Sequence, residues 1–299
     1  MIRYLFVCAL IAVICSAWCN EARASEVKVA EFSVGKARVW AIADSTGERD
    51  MNVFPDADQN AISKLVPSGK SPSATMVFLV KNGNETILVD TGNGTPSGDR
   101  ASLLGAGLKR IGVDPGEITI ILITHMHGDH IGGLIRGGDK AFPSARVLSA
   151  RIELDFWLDK KSVELFPNRK AGFELVQRIF SIYDSVSETF EFGTEVAPGI
   201  KAIDARGHTP GHTVFLLESE GEKLLFWGDL VHAAALQFPR PDINASYDMN
   251  PQESASARAR FMELAATENL PIAGVHLPFP GIGTVEKNPE GGYVFKGRN

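Results

Sequence analysis

The chain has 299 residues, with 30 Lys plus Arg against 36 Asp plus Glu and a formal net charge of −6. That acidic balance argues against non-specific retention of a polyanion, so nucleic acid is not expected as a partner. All three cysteines, Cys8, Cys15 and Cys19, precede Asn20, which leaves the rest of the chain without a disulfide framework, thiolate nucleophile or cysteine metal ligand.

Arg3, the apolar run Tyr4–Cys19 and the small-x-small stretch Ala22-Arg23-Ala24 read as a signal peptide cleaved after Ala24. The run is shorter than the roughly 20 residues that span a bilayer, so no stable membrane anchor is expected. Residues 1–24 are therefore expected as a leader and 25–299 as one domain, exported to the periplasm or secreted. Losing Arg3, Arg23 and Glu21 with the leader takes the net charge to −7. A chain free of cysteine suits an oxidising compartment.

Four β-rich runs follow: Glu26–Phe32, Ala37–Ala43, Thr75–Val80 and Thr86–Asp90, with a hairpin turn at Asn82-Gly83 between the last two. Arg100–Ile111 has helical spacing and stops at Gly112. Ile118–Thr124 is a continuous apolar, β-branched run, the pattern of a strand buried on both faces. The second half reads as strand Ala145–Ser149, helices Arg151–Lys160 and Arg169–Tyr183, strands Ile200–Asp204, Thr213–Glu218 and Lys223–Trp227, and helix Glu253–Glu268. Two groups of strands, each accompanied by helices, predict an α/β domain of two packed sheets flanked by helices, in four layers.

The chemistry is concentrated in His125-x-His127-x-Asp129-His130, directly after the Ile118–Thr124 strand. Residues two apart at a strand end point the same way, so His125 and His127 are placed to grip one cation. Gly128 is expected to allow a sharp turn that swings Asp129 and His130 towards a second. Imidazole and carboxylate suit Zn²⁺, with Mn²⁺, Fe²⁺ or Co²⁺ as alternatives. Three histidines and an aspartate in six residues are hard to read as incidental surface groups.

Further along, His208 lies in the loop Gly207–Gly211 as the third ligand for the first metal. His212 leads into the next strand, where orienting a ligand is the main reading. Asp229 ends the apolar run Leu224–Trp227; a carboxylate there is costly unless paired, and bridging two cations would satisfy both oxygens. His276 follows Ala273-Gly274-Val275 and completes a second set with Asp129 and His130. His232 reads equally as a structural histidine or as a proton donor and substrate contact at a cavity mouth.

Together these residues resemble the ligand set of metallo-β-lactamase-fold hydrolases. Thr124–Leu134, Arg206–Thr213, Gly228–Pro239 and Val275–Gly283 more narrowly resemble the methyl parathion hydrolase family and related lactonases. The resemblance implies an αββα sandwich, two divalent metal ions per chain, a homodimer, and small-molecule esters, lactones or phosphotriesters as substrates. It also implies Trp157, and Phe173 more weakly, as aromatics lining the pocket, although aromatics at helical spacing are as often plain core. The loop Asn93–Asp99 lacks the aromatic residue found there in methyl parathion hydrolase, which points to a more polar or smaller substrate.

Two cations about 3.5–4 Å apart hold a bridging water near neutral pKa, so hydroxide attack needs no protein nucleophile. That agrees with the absence of cysteine and of a G-x-S-x-G serine elbow. Asp129 or Asp229 is expected to accept the proton afterwards, and His232 to lie near the leaving group. A β-lactamase is the first alternative, although the aspartate at 229 is untypical of one. Glyoxalase II-like thioester hydrolysis shares the ligand set but is normally cytosolic. A catalytically inactive metal-binding protein is the alternative from another class.

Overall fold

The computed structural model describes residues 27–94 and 102–298. The expected leader and residues 95–99 of the polar loop lie outside these residues.

The first sheet has seven strands in the order β1 (Val29–Val34), β2 (Ala37–Asp50), β3 (Lys70–Asn82), β4 (Glu85–Val89), β5 (Ile120–Leu122), β6 (Arg146–Ala150) and β7 (Ser187–Phe190). Its first four strands pair antiparallel; β4, β5, β6 and β7 run parallel. The second sheet follows as β8 (Glu195–Ala197), β9 (Ile200–Asp204), β10 (Thr213–Ser219), β11 (Glu222–Phe226), β12 (Ile272–Ala273), β13 (Ile282–Lys287) and β14 (Tyr293–Gly297). Only β11 and β12 pair parallel in it.

Period-two alternation separates the layers. On β3, Met76, Phe78 and Val80 point between the sheets, where they meet Phe215, Leu217 and Phe226 of the second. Val77 and Leu79 point outward; of the helices that follow the short α1 (Gln59–Leu65), α2 (Leu104–Arg110), α3 (Arg151–Leu158) and α4 (Lys170–Tyr183) cover them. Helix α5 (Pro251–Thr267) covers the other sheet with Ala257, Phe261, Met262 and Ala265. The expected αββα order of layers is the one found. Each Val, Leu, Phe or Met among these, fully buried, contributes about 1.5–3 kcal/mol.

Several boundaries differ from expectation for local reasons. Helix α5 starts two residues early because the Asn250 side chain accepts from Glu253 N and Pro251 opens the first turn. Strand β2 continues to Asp50 because β3 begins at Lys70, well before the apolar run, and pairs it throughout. Strands β7, β8 and β12 to β14 and the short helix α1 went unforeseen; the two residues of β12 carry no periodicity to read. No described helix is long and apolar enough to cross a membrane.

Candidate metal centre

The His/Asp residues gather at the carboxyl ends of β4, β5 and β11, where open sheets place their sites. After β5 the chain leads to His127, whose extended backbone stands at the N-cap position of a one-turn helix, Gly128–Ile131. Gly128 is not in the left-handed region, and a Cβ there would only touch Leu175 at 3.5 Å. The turn is thus helical, and Gly128 is not what permits it. Gly228 is different: its φ is +55° and a Cβ would lie 2.5 Å from His212 Nε2.

Two groups of donor atoms converge. His125 Nε2, His127 Nδ1 and His208 Nε2 form the first, with 3.0 Å between His125 and His127 and 2.9 Å between His127 and His208. Asp129, His130 and His276 form the second, with His276 Nε2 3.4 Å from Asp129 Oδ2. Asp229 stands between them. Its Oδ2 lies 3.6 Å from His125 Nε2, 3.4 Å from His208 Nε2 and 3.1 Å from His276 Nε2, and its Oδ1 lies 3.2 Å from His130 Nε2.

Outer partners fix the imidazoles. Thr124 Oγ1 lies 3.1 Å from His125 Nδ1, Asp90 2.8 Å from His130 Nδ1 and Asp248 2.7 Å from His208 Nδ1, while Ala74 O lies 2.8 Å from His276 Nδ1. With Nδ1 so engaged, the Nε2 lone pairs face the centre. Asp90 also accepts from Thr124 N and Thr124 Oγ1, and holds a left-handed φ of 59°, a strained backbone that these bonds sustain.

A buried cluster of this kind fits divalent cations. Asp229 Oδ1 and His130 Nε2 are both buried with no hydrogen-bond partner despite their proximity. Burial lowers the pKa of His125 and His127 well below the ordinary value, which keeps both neutral and able to donate a lone pair. Burial pushes the Asp229 carboxyl up, but the surrounding histidines, His130 first, outweigh it and hold the group well below the carboxylate range. His130 is correspondingly raised, burial notwithstanding, by Asp229, Asp90 and Asp129. Asp129, partly exposed, is lowered in spite of burial, by His130 and His276.

His212 is not among these donors: its Nε2 accepts from Asp229 N at 3.0 Å and its Nδ1 donates to Ala205 O. His232, foreseen at a cavity mouth, is 1% exposed. Its Nε2 lies 3.1 Å from Asp229 Oδ2 and its ring stacks on His276, so it belongs to the buried centre. Trp157 and Phe173, foreseen as pocket lining, are 1% and 0% exposed in the outer helical core. Trp157 meets His127 edge-on at 5.9 Å and donates to Glu153; Phe173 packs behind it at 4.8 Å. The amphipathic face of α4 buries Phe173, so its pocket role is corrected to a core one.

Sequence reasoning missed Glu153, whose carboxylate accepts from Met126 N, Gly211 N and Trp157 Nε1 and so ties the two metal loops together. It missed Asp90 and Asp248 as well, each 40 residues from the histidine it holds. A carboxylate ending the apolar stretch Thr86–Val89 was the available signal for Asp90.

The layered fold and this His/Asp cluster define a metal-binding α/β sandwich, and the chain belongs to the metallo-beta-lactamase superfamily, whose model matches residues 71–276. Among solved structures it is similar to the hydrolase AbOPH of the beta lactamase superfamily, at 29% identity and TM-score 0.86, covering 91% of this chain and 97% of that one. It shares the fold of AidC, a dizinc quorum-quenching lactonase, at 24% identity and TM-score 0.84, covering 91% and 98%. Curated relatives include an atrochrysone carboxyl ACP thioesterase of Passalora fulva, 28% identical over 60% of this chain and 46% of that protein. An N-acyl homoserine lactonase of a Bacillus species is 25% identical over 53% and 64%. The chain thus spans about half the length of the first of these relatives and somewhat more of the second.

Proposed function

We propose that this protein is an exported, dinuclear metal-dependent hydrolase that cleaves an ester, lactone or phosphotriester bond of a small molecule. The observation that carries the reading is the position of Asp229, with one carboxylate oxygen 3.2 Å from His130 Nε2 and the other within 3.6 Å of His125 and His208 Nε2. His125, His127 and His208 would hold one cation and Asp129, His130 and His276 the other, with Asp229 shared. Zinc suits this donor set.

Bound there, the cations supply Lewis acidity and an acidified water. The chain's own residues do the rest. Asp90 and Asp248 lock the tautomers of His130 and His208. His212 holds the Asp229 main chain, and Asp129 and Asp229 are the carboxylates within reach of a released proton. His232, beside Asp229, is the candidate contact to the leaving group. The lactonase and thioesterase relatives favour acyl over phosphoryl transfer.

A panel of lactones, aryl esters, thioesters, phosphotriesters and the β-lactam nitrocefin, run on zinc- or manganese-loaded protein, tests the reading. Turnover of an acyl or phosphotriester substrate that stops on chelation supports it. Turnover of nitrocefin alone, or of nothing, overturns it.

A further inference from the structure

One contact beside the centre conflicts with the donor set. His127 turns Nδ1 inward, so its outward Nε2 carries the proton whenever Nδ1 donates a lone pair to a cation. That Nε2 lies 3.2 Å from Arg169 Nη1, and a guanidinium can only donate. With the first site loaded, two N–H groups would face each other, and Arg169 must turn to another acceptor. No carboxylate lies within ion-pair distance of Arg169 among the described residues. Asp248, whose charge reaches Arg169, already accepts from His208 Nδ1, Arg258 Nη2 and Ala245 N. Arg169 otherwise donates only to Tyr247 O, at 2.9 Å.

Tyr247 connects this group to a second one. Its ring lies 4.8 Å from that of His232, and its hydroxyl is buried without a partner. On that ring sits Arg49, 5.7 Å from the centroid, and its Nε is also buried without a partner. Arg169 and Tyr247 therefore border the centre, and Arg49 stands behind the Tyr247 ring, with donor capacity unused in the group. An uncompensated cation partly withdrawn from water is costly unless an anion completes it.

We propose that Arg169, assisted by Arg49 and the Tyr247 hydroxyl, is a specificity-determining site for an anionic group on the substrate. The substrate would be a carboxylate-bearing ester or lactone. This rests on the hydrolase reading above and sharpens its substrate class. Guanidinium and carboxylate match in a planar, two-bond geometry that an ammonium does not reproduce.

The test compares matched pairs on the zinc-loaded protein: an aryl half-ester of a dicarboxylic acid and its neutral methyl ester, together with the non-cleavable amide of each. Turnover gives the ratio of kcat/KM for charged over neutral substrate, and calorimetric titration of the amides gives the ratio of Kd. Both ratios should favour the charged member roughly tenfold or more. Arg169→Gln should erase most of that preference and Arg169→Lys should restore part of it, at equal metal content. Arg49→Gln should lower the preference by a smaller factor. Equal handling of charged and neutral members by the parent protein, or a preference unmoved by Arg169→Gln, overturns the proposal. Binding of the charged amide that depends on Arg169, with no ester cleaved, would sink the hydrolase reading and leave the anion site standing.

Discussion

His212 accepts at Nε2 a hydrogen bond from the main-chain N–H of Asp229, 3.0 Å away, and so fixes the carboxylate that both histidine groups surround. Burial drives the His212 pKa down to about 3, so the ring stays neutral and its acceptor nitrogen is always available. His212→Ala leaves Asp229 N and Ala205 O without partners, at about 1–3 kcal/mol each. Metal affinity should fall on the order of tenfold or more, measured by competition with a chromophoric chelator. Unchanged affinity would show that Asp229 is held by other means.

Glu153 joins two segments that the sequence keeps apart. Glu153→Ala removes the acceptor for Met126 N, Gly211 N and Trp157 Nε1 at once. At about 1–3 kcal/mol for each stranded donor, the loss should exceed roughly 3 kcal/mol in chemical denaturation. The metal content of the folded fraction should drop with it, because His127 and His208 lie on the two tied loops. A variant as stable as the parent would contradict the tie.

The pH response follows from His208. Burial lowers its pKa, but the hydrogen bonds to Asp229 and Asp248 outweigh this and lift it to about 9, against roughly 6.5 unfolded. Its protonated form thus stabilises chelator-treated protein fully below about 6.5, and that contribution is lost as pH rises through about 9. A cation must displace this proton, so metal binding should tighten from pH 7 to 9 and release a proton. Calorimetry in buffers of different ionisation enthalpy reads the release. Metal uptake without proton release would contradict the assignment of His208 as a ligand.

His232→Ala tests the leaving-group contact. At equal metal content, kcat should fall, with KM moving less if the contact strengthens in the transition state. A variant with both constants unchanged on the true substrate eliminates the role.

Most of the donor set was legible in the sequence because chemistry is conspicuous where several histidines follow an apolar strand. His125, His127, Asp129 and His130 needed only that local pattern; His208 lies in a loop between two readable strands, Asp229 ends one, and His276 follows the short apolar approach Ala273-Gly274-Val275. The groups that orient them were not legible. Asp90 reaches His130 and Asp248 reaches His208 across 40 residues, and only the closed fold makes them neighbours. Arg169 and Tyr247 carried no motif at all. Phe173 illustrates the opposite failure: helical spacing says that an aromatic is buried, not whether it meets core or cleft. The four layers were readable because strands such as β3 carry long apolar runs. The two-residue β12 was not, because its pairing depends on β11 and β13 and not on its own sequence.

The most direct test of two cations sharing Asp229 is the metal content of fully active protein by inductively coupled plasma mass spectrometry. It should be read alongside that of Asp229→Asn. The geometry predicts two ions per chain in the parent and loss from both positions in the variant. Full activity with fewer than about one ion per chain, or a variant that empties a single position, would contradict it.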